Sequence, residues 1–164
     1  MGISETSNAV KGTKAKVFEV IKRRIKPEGP NKVVIASHKG KAAIKLAELL
    51  GKQAQVISVT EFSYDDDAKK DMKKLNVIPV EKASLPIQDN REMRETLLMF
   101  GSGIKAALEV AIIAKNMNLV KGEFLAVAGG DESFDTLLLC DTEFPEKEMV
   151  SDPVKHLKVK EFLV

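Results

Sequence analysis

Six consecutive residues, Ser37-His38-Lys39-Gly40-Lys41-Ala42, are the densest set of groups in this chain able to hold an anion. Ser37 brings a hydroxyl that donates or accepts, and Lys39 and Lys41 bring positive charge. The run stands where an apolar stretch gives way to a helical one. Val33 to Ala36 is β-branched and suits a strand buried on both faces. Ala43, Leu46, Ala47 and Leu50 then recur at helical spacing. Strand, tight loop and helix leave unpaired N–H groups at the helix start, and these attract phosphate. The His38 ring can donate a hydrogen bond, and its place in the loop suits donation to an anion better than general acid–base work. The earlier glycine of a G-x-x-x-x-G-K-[ST] loop is missing, so nucleotide hydrolysis is not indicated.

Other reactive side chains read as structural. Cys140 follows three leucines and suits a core filler, and two histidines with one cysteine do not make a zinc site, so no metal is expected. Asp65-Asp66-Asp67 reads as the acidic first turn of a helix through Leu75. Ser37, Ser102 and Ser133 lack a G-x-S-x-G surround. Lys105 and Glu109, four apart, read as a helix-surface ion pair, with Glu109 a ligand contact if its helix starts at the site. Thr60 leaves the strand Gln55 to Val59, at the same sheet edge as the Ser37 loop if the strands are parallel. Asp135 and Thr136 follow the pair Gly129-Gly130, where side chains either reach a ligand or satisfy nearby backbone.

The 164 residues, 44% hydrophobic and 30% charged, indicate one soluble domain spanning 1–164. A net charge of +2 conceals an asymmetry: residues 1–52 hold 12 basic and 4 acidic side chains, residues 53–164 hold 14 and 20. The basic end would draw an anionic ligand. With no Trp, 1 Tyr and no basic–aromatic interleaving, nucleic acid is not the expected partner. M-G-I-S-E-T-S-N has no apolar core, so no leader is expected. Ile104 to Ala114 is too short to span a bilayer and carries Lys105 and Glu109, which excludes a membrane partner. A single cysteine suits the cytoplasm.

The elements that must position these residues follow from periodicity. A helix capped by Thr13 carries Val17, Val20, Ile21 and Ile25, and Pro27 to Pro30 ends it. Val77 to Val80 is a short strand that Pro79 places at a sheet edge. Ser84 to Asn90 is a surface loop, and a helix from Asp89 to Met99 follows. Gly101-Ser102-Gly103 lets the most apolar helix, Ile104 to Met117, approach the sheet closely. Glu123 to Ala128, Phe134 to Cys140 and His156 to Val164 are strands, with Asp141 to Pro153 an exposed connection. Only a short turn separates Val127 from Leu137, so at least one strand runs antiparallel. The pattern predicts an α/β protein, a three-layer α/β/α sandwich on a mixed sheet.

Three stretches carry a resemblance: V-V-I-A-S-H-K-G-K-A-A, F-G-S-G-I-K-A-A-L-E-V-A-I-I-A-K-N-M-N-L-V and E-F-L-A-V-A-G-G-D-E-S-F-D-T-L-L-L, joined by the terminal H-L-K-V-K-E-F-L-V. They resemble the stand-alone archaeal and bacterial proteins named after the C-terminal α/β domain of pyruvate kinase. The resemblance implies a five-stranded mixed sheet whose last strand opposes the others. It implies a phosphate at the Ser37–Ala42 loop, and FMN as cofactor, with no reaction attached. By position, Ser37, His38, Gly40 and Ala42 match the loop, Gly101, Gly103 and Glu109 the buried helix, and Gly129, Gly130, Asp135 and Thr136 the glycine turn. The family turn resembles G-G-R-x-x-G-x-D-T; here it is shorter and acidic at Asp131-Glu132, which opposes a phosphate. The expected function is binding of a phosphorylated small molecule or flavin nucleotide. The alternatives are an FMN-dependent enzyme or a ligand-free regulatory or assembly module, with a homo-oligomer left open. Pyruvate kinase activity is excluded, because the chain cannot contain the catalytic barrel.

Overall fold

β-Branched runs and amphipathic helices alternate along the chain, and the computed structural model, which describes residues 16–130, 133–143 and 157–163, turns that alternation into three layers. Helix α1 covers residues 16–24. Strand β1 (Lys32–Ala36), helix α2 (Lys41–Leu50), strand β2 (Gln55–Val59), helix α3 (Asp66–Lys74) and strand β3 (Ile78–Val80) follow. Helices α4 (Arg91–Leu98) and α5 (Ser102–Asn116) precede strands β4 (Glu123–Gly130), β5 (Ser133–Asp141) and β6 (Lys158–Phe162). The helix cap predicted at Thr13, the acidic turn Asp131-Glu132, His156 and most of the connection from Asp141 to Pro153 lie outside the described residues.

The sheet order is β3-β2-β1-β4-β5-β6. β1 pairs in parallel with β2 and with β4, Val33 standing between Val56 and Leu125. β3 joins β2 in parallel and forms one edge, where Pro79 costs no ladder bond. β5 runs antiparallel to β4, and β6 antiparallel to β5. Two expectations from the family resemblance are corrected here. The sheet has six strands rather than five, and the strand that reverses is β5; β6 again points along β1 to β4. A short hairpin forces the reversal at β5, and the longer return lets β6 reverse once more.

Alternation along the central strands sorts the core into two halves. Val33, Ile35, Leu125 and Val127 face α1, α2 and α3, where Val17, Ile21, Leu46 and Met72 meet them. Val34, Ala126, Ala128 and Leu138 face the other way, towards Ala107, Ala111 and Ala114 of α5. Cys140 lies in that second half as a buried free thiol, and burial pushes its pKa up to about 12. It is inert filler, as its setting among leucines indicates. Asp65 caps α3 by accepting from the Ala68 N–H at 2.7 Å, which accounts for the acidic run. No helix among the described residues is long and apolar enough to cross a membrane.

One irregularity shapes the sheet's carboxyl edge. Ala128 pairs with Thr136, but Gly129 pairs with Phe134, so Asp135 is an extra residue in β5. The bulge sends Thr136 towards α5 and turns Phe134 to the opposite half, where its ring lies 5.7 Å from Phe18.

Candidate functional site

At the end of β1 the chain makes a loop with three of its carbonyl groups tied inward. Ser37 N–H donates to Val59 O at 3.1 Å, holding the loop to β2. The Ser37 carbonyl accepts the Tyr64 hydroxyl at 3.2 Å, and that phenol oxygen lies 2.6 Å from the fully buried Ser58 Oγ. Thr60 Oγ1 donates to the His38 carbonyl at 3.1 Å and accepts the Phe62 N–H. Gly40 N–H donates to Ser37 Oγ at 3.1 Å, and the Gly40 carbonyl accepts from Ile44, opening α2. Gly40 has φ 88° and no room for a side chain, because a β-carbon would run into Met72 and the Tyr64 ring.

Three of the loop's carbonyls are thus held, and that of Lys39 has no donor among the described residues. No side chain caps α2, and the N–H groups of His38, Lys39, Lys41 and Ala42 have no acceptor among the described residues. Lys39 and Lys41 are exposed, and neither forms an ion pair with a described residue. Successive free amides at a helix start, flanked by two ammonium groups, make an anion nest.

The nest opens into a cleft of about 430 Å³ at the carboxyl ends of β1, β2 and β4. The chain leaves β1 for α2 on one face and reaches β4 from α5 on the other, so the cleft sits where the winding direction changes. Ligands of open α/β sheets occupy that position. Ser37, His38, Lys39, Lys41, Ala42, Thr60, Glu109 and Gly129 all line it. Sequence reasoning did not assign Glu61, Leu85, Lys105, Ala106, Val110 and Phe134 to the site, although these residues line it too. Lys105 and Ala106 share a helix face with Glu109, a signal present in the spacing. Phe134 arrives through the bulge, which spacing does not show.

The remaining predicted residues do other work. Gly101 stands exposed at the N-cap of α5 with φ 107°. Gly103 is where α5 touches β5, since a β-carbon there would overlap the Thr136 hydroxyl. Thr136 is buried and donates to Asp135 Oδ1 at 3.0 Å, while Asp135 is exposed. Gly130 pairs with Ser133 to end the β4–β5 ladder. None of these five lines the cleft.

Glu109 differs from its expected place on a helix surface. It is buried, and its two carboxylate oxygens accept the N–H groups of Ile87 at 2.6 Å and Gln88 at 3.1 Å. Lys105 Nζ lies 3.7 Å from Glu109 Oε1 and 2.5 Å from the side-chain oxygen of Gln88. The pair therefore staples the Ser84–Asn90 loop to α5 and carries Leu85 into the cleft wall. Burial raises the Glu109 pKa, opposed by the two amides and by Lys105. Burial likewise raises Tyr64 to about 12, so its phenol stays protonated and keeps donating.

No protein-family model matches this chain, and no curated protein matches it. No group of three or more His, Cys, Asp or Glu side chains suited to a metal occurs among the described residues. The His38 ring packs at a tilt against Phe62 with centroids 4.5 Å apart, which suits a binding rim.

Proposed function

We propose that this protein binds a phosphorylated small molecule, FMN or another nucleotide, with the phosphate on the Ser37–Ala42 loop. The observation that carries the reading is the loop's polarity: the Ser37, His38 and Gly40 carbonyls have protein donors and only that of Lys39 does not, while four neighbouring amides have no acceptor among the described residues. A dianion completes such a loop; a cation or a neutral apolar group does not. The cleft volume lies in the range of small-ligand sites, and Leu85, Ala106, Val110 and Phe134 offer apolar wall to an aromatic ring. We further propose that the chain is a stand-alone relative of the pyruvate kinase C-terminal domain; helices on both faces of a mixed sheet and the strand–loop–helix at Ser37 support this.

The residues fit the phosphate half of FMN best. When bound, FMN would supply redox or light-absorbing chemistry; this chain's part is to seat the phosphate and cover the ring. The test is thermal denaturation with and without added FMN, AMP and inorganic phosphate. Binding at one hundred times Kd should add about 2.7 kcal/mol to stability. Lys39→Glu combined with Lys41→Glu should leave the unliganded melting temperature unchanged and abolish the ligand-induced rise. A rise that survives both substitutions places the phosphate elsewhere.

A further inference from the structure

The two ends of the cleft differ in which charges are committed. Lys39 and Lys41 at the nest have no anionic partner among the described residues. Lys105, on the α5 wall, is already spent. Its ammonium stands between Glu109 and Gln88, its side chain is 16% exposed, and the Glu109 side chain beside it is 4% exposed. Drawing Lys105 to a ligand would strip a buried carboxylate of its cation. It would also release Gln88, whose amide and side chain both belong to the staple. A second anion at that end would meet a lysine already paired with a carboxylate, in a cleft whose lining also includes the Glu61 carboxylate.

We infer that the cleft is built for a ligand with one anionic group, a phosphomonoester whose far end is uncharged, and that the Lys105–Glu109 pair and Glu61 exclude a second negative charge. The inference rests on the phosphate seat proposed above and goes beyond it by naming the charge class. A neutral far end keeps the staple intact and meets apolar wall at Leu85, Ala106 and Val110. Discrimination here is repulsive: a neutral group at this end gains no charge contact, and an anionic one is rejected.

Isothermal titration with matched ligand pairs tests this. AMP is set against adenosine 3′,5′-bisphosphate, and glycerol 3-phosphate against 3-phosphoglycerate, with inorganic phosphate as the minimal probe. In each pair the singly charged-end ligand should bind about tenfold or more tightly, the size of one unpaired charge at a partly buried site. Glu109→Gln, which releases Lys105, and Glu61→Lys should each shrink the preference; Glu61→Lys serves alone if Glu109→Gln does not fold. Equal or tighter binding of the doubly charged partners overturns the inference while leaving the seat in place. So does a preference that neither substitution changes, and so does binding of inorganic phosphate alone. If no phosphorylated probe binds at all, the seat itself is wrong and the inference falls with it.

Discussion

Glu109 shows how one side chain ties packing to the site. Its burial makes the ionised form costly, yet that form accepts two amides and faces Lys105. Glu109→Ala would leave both amides and the ammonium without their partner, and should cost about 3–5 kcal/mol in urea unfolding. Because its pKa is raised in the fold, the native state holds this proton more tightly than the unfolded chain does. Measured against Glu109→Gln, wild-type stability should therefore fall as pH rises from the ordinary carboxylate range through the raised value. A difference that grows with rising pH would contradict the burial assignment. Tyr64 is the single tyrosine and there is no tryptophan, so its ultraviolet titration is clean. Its midpoint should stand near 12, and stability should decline as pH climbs from the ordinary tyrosine value towards it. Tyr64→Phe frees the Ser37 carbonyl and strands the buried Ser58 hydroxyl, and should cost about 1–3 kcal/mol.

Among the elements, α5 meets β5 with no room to spare. Gly103 sits where Thr136 leaves no room for a β-carbon, so Gly103→Val must push the helix off the strand. It should destabilise by about 1–3 kcal/mol, and the same substitution should cost less in a Thr136→Ala background, where the hydroxyl it meets is gone. Equal losses in both backgrounds would dissolve the claim that close approach fixes Gly103. The close approach was legible in the sequence as G-S-G before the most apolar helix. So were the strand–loop–helix at Ser37, the edge position of Pro79 and the helix start at Asp65-Asp66-Asp67, because each depends on residues within one or two turns of chain. The bulge at Asp135 was not legible. A two-residue repeat in hydropathy does not reveal one inserted residue, and that insertion decides that Phe134 reaches the cleft while Thr136 meets α5.

At the scale of the molecule, the loop sits in the basic part of the sequence, residues 1–52, and Lys39 and Lys41 have no anionic partner among the described residues, so ligand capture should depend on salt. Screening shortens from about 10 Å at 0.1 M to about 3 Å at 1 M. FMN or AMP affinity should weaken several-fold over that range, while the unliganded melting temperature moves little. Affinity indifferent to salt would argue that apolar wall, not the lysines, holds the ligand. The order of the elements, their types and the two-faced burial of the central strands were written in local periodicity, which any short window of chain displays. Tertiary structure alone decided which carbonyls are tied down, which amides are left free and that Glu109 turns inward. Those partners lie far apart in the chain, Tyr64 bonding back across 27 residues to Ser37 and Glu109 across 22 to Ile87, and only the closed fold brings them together.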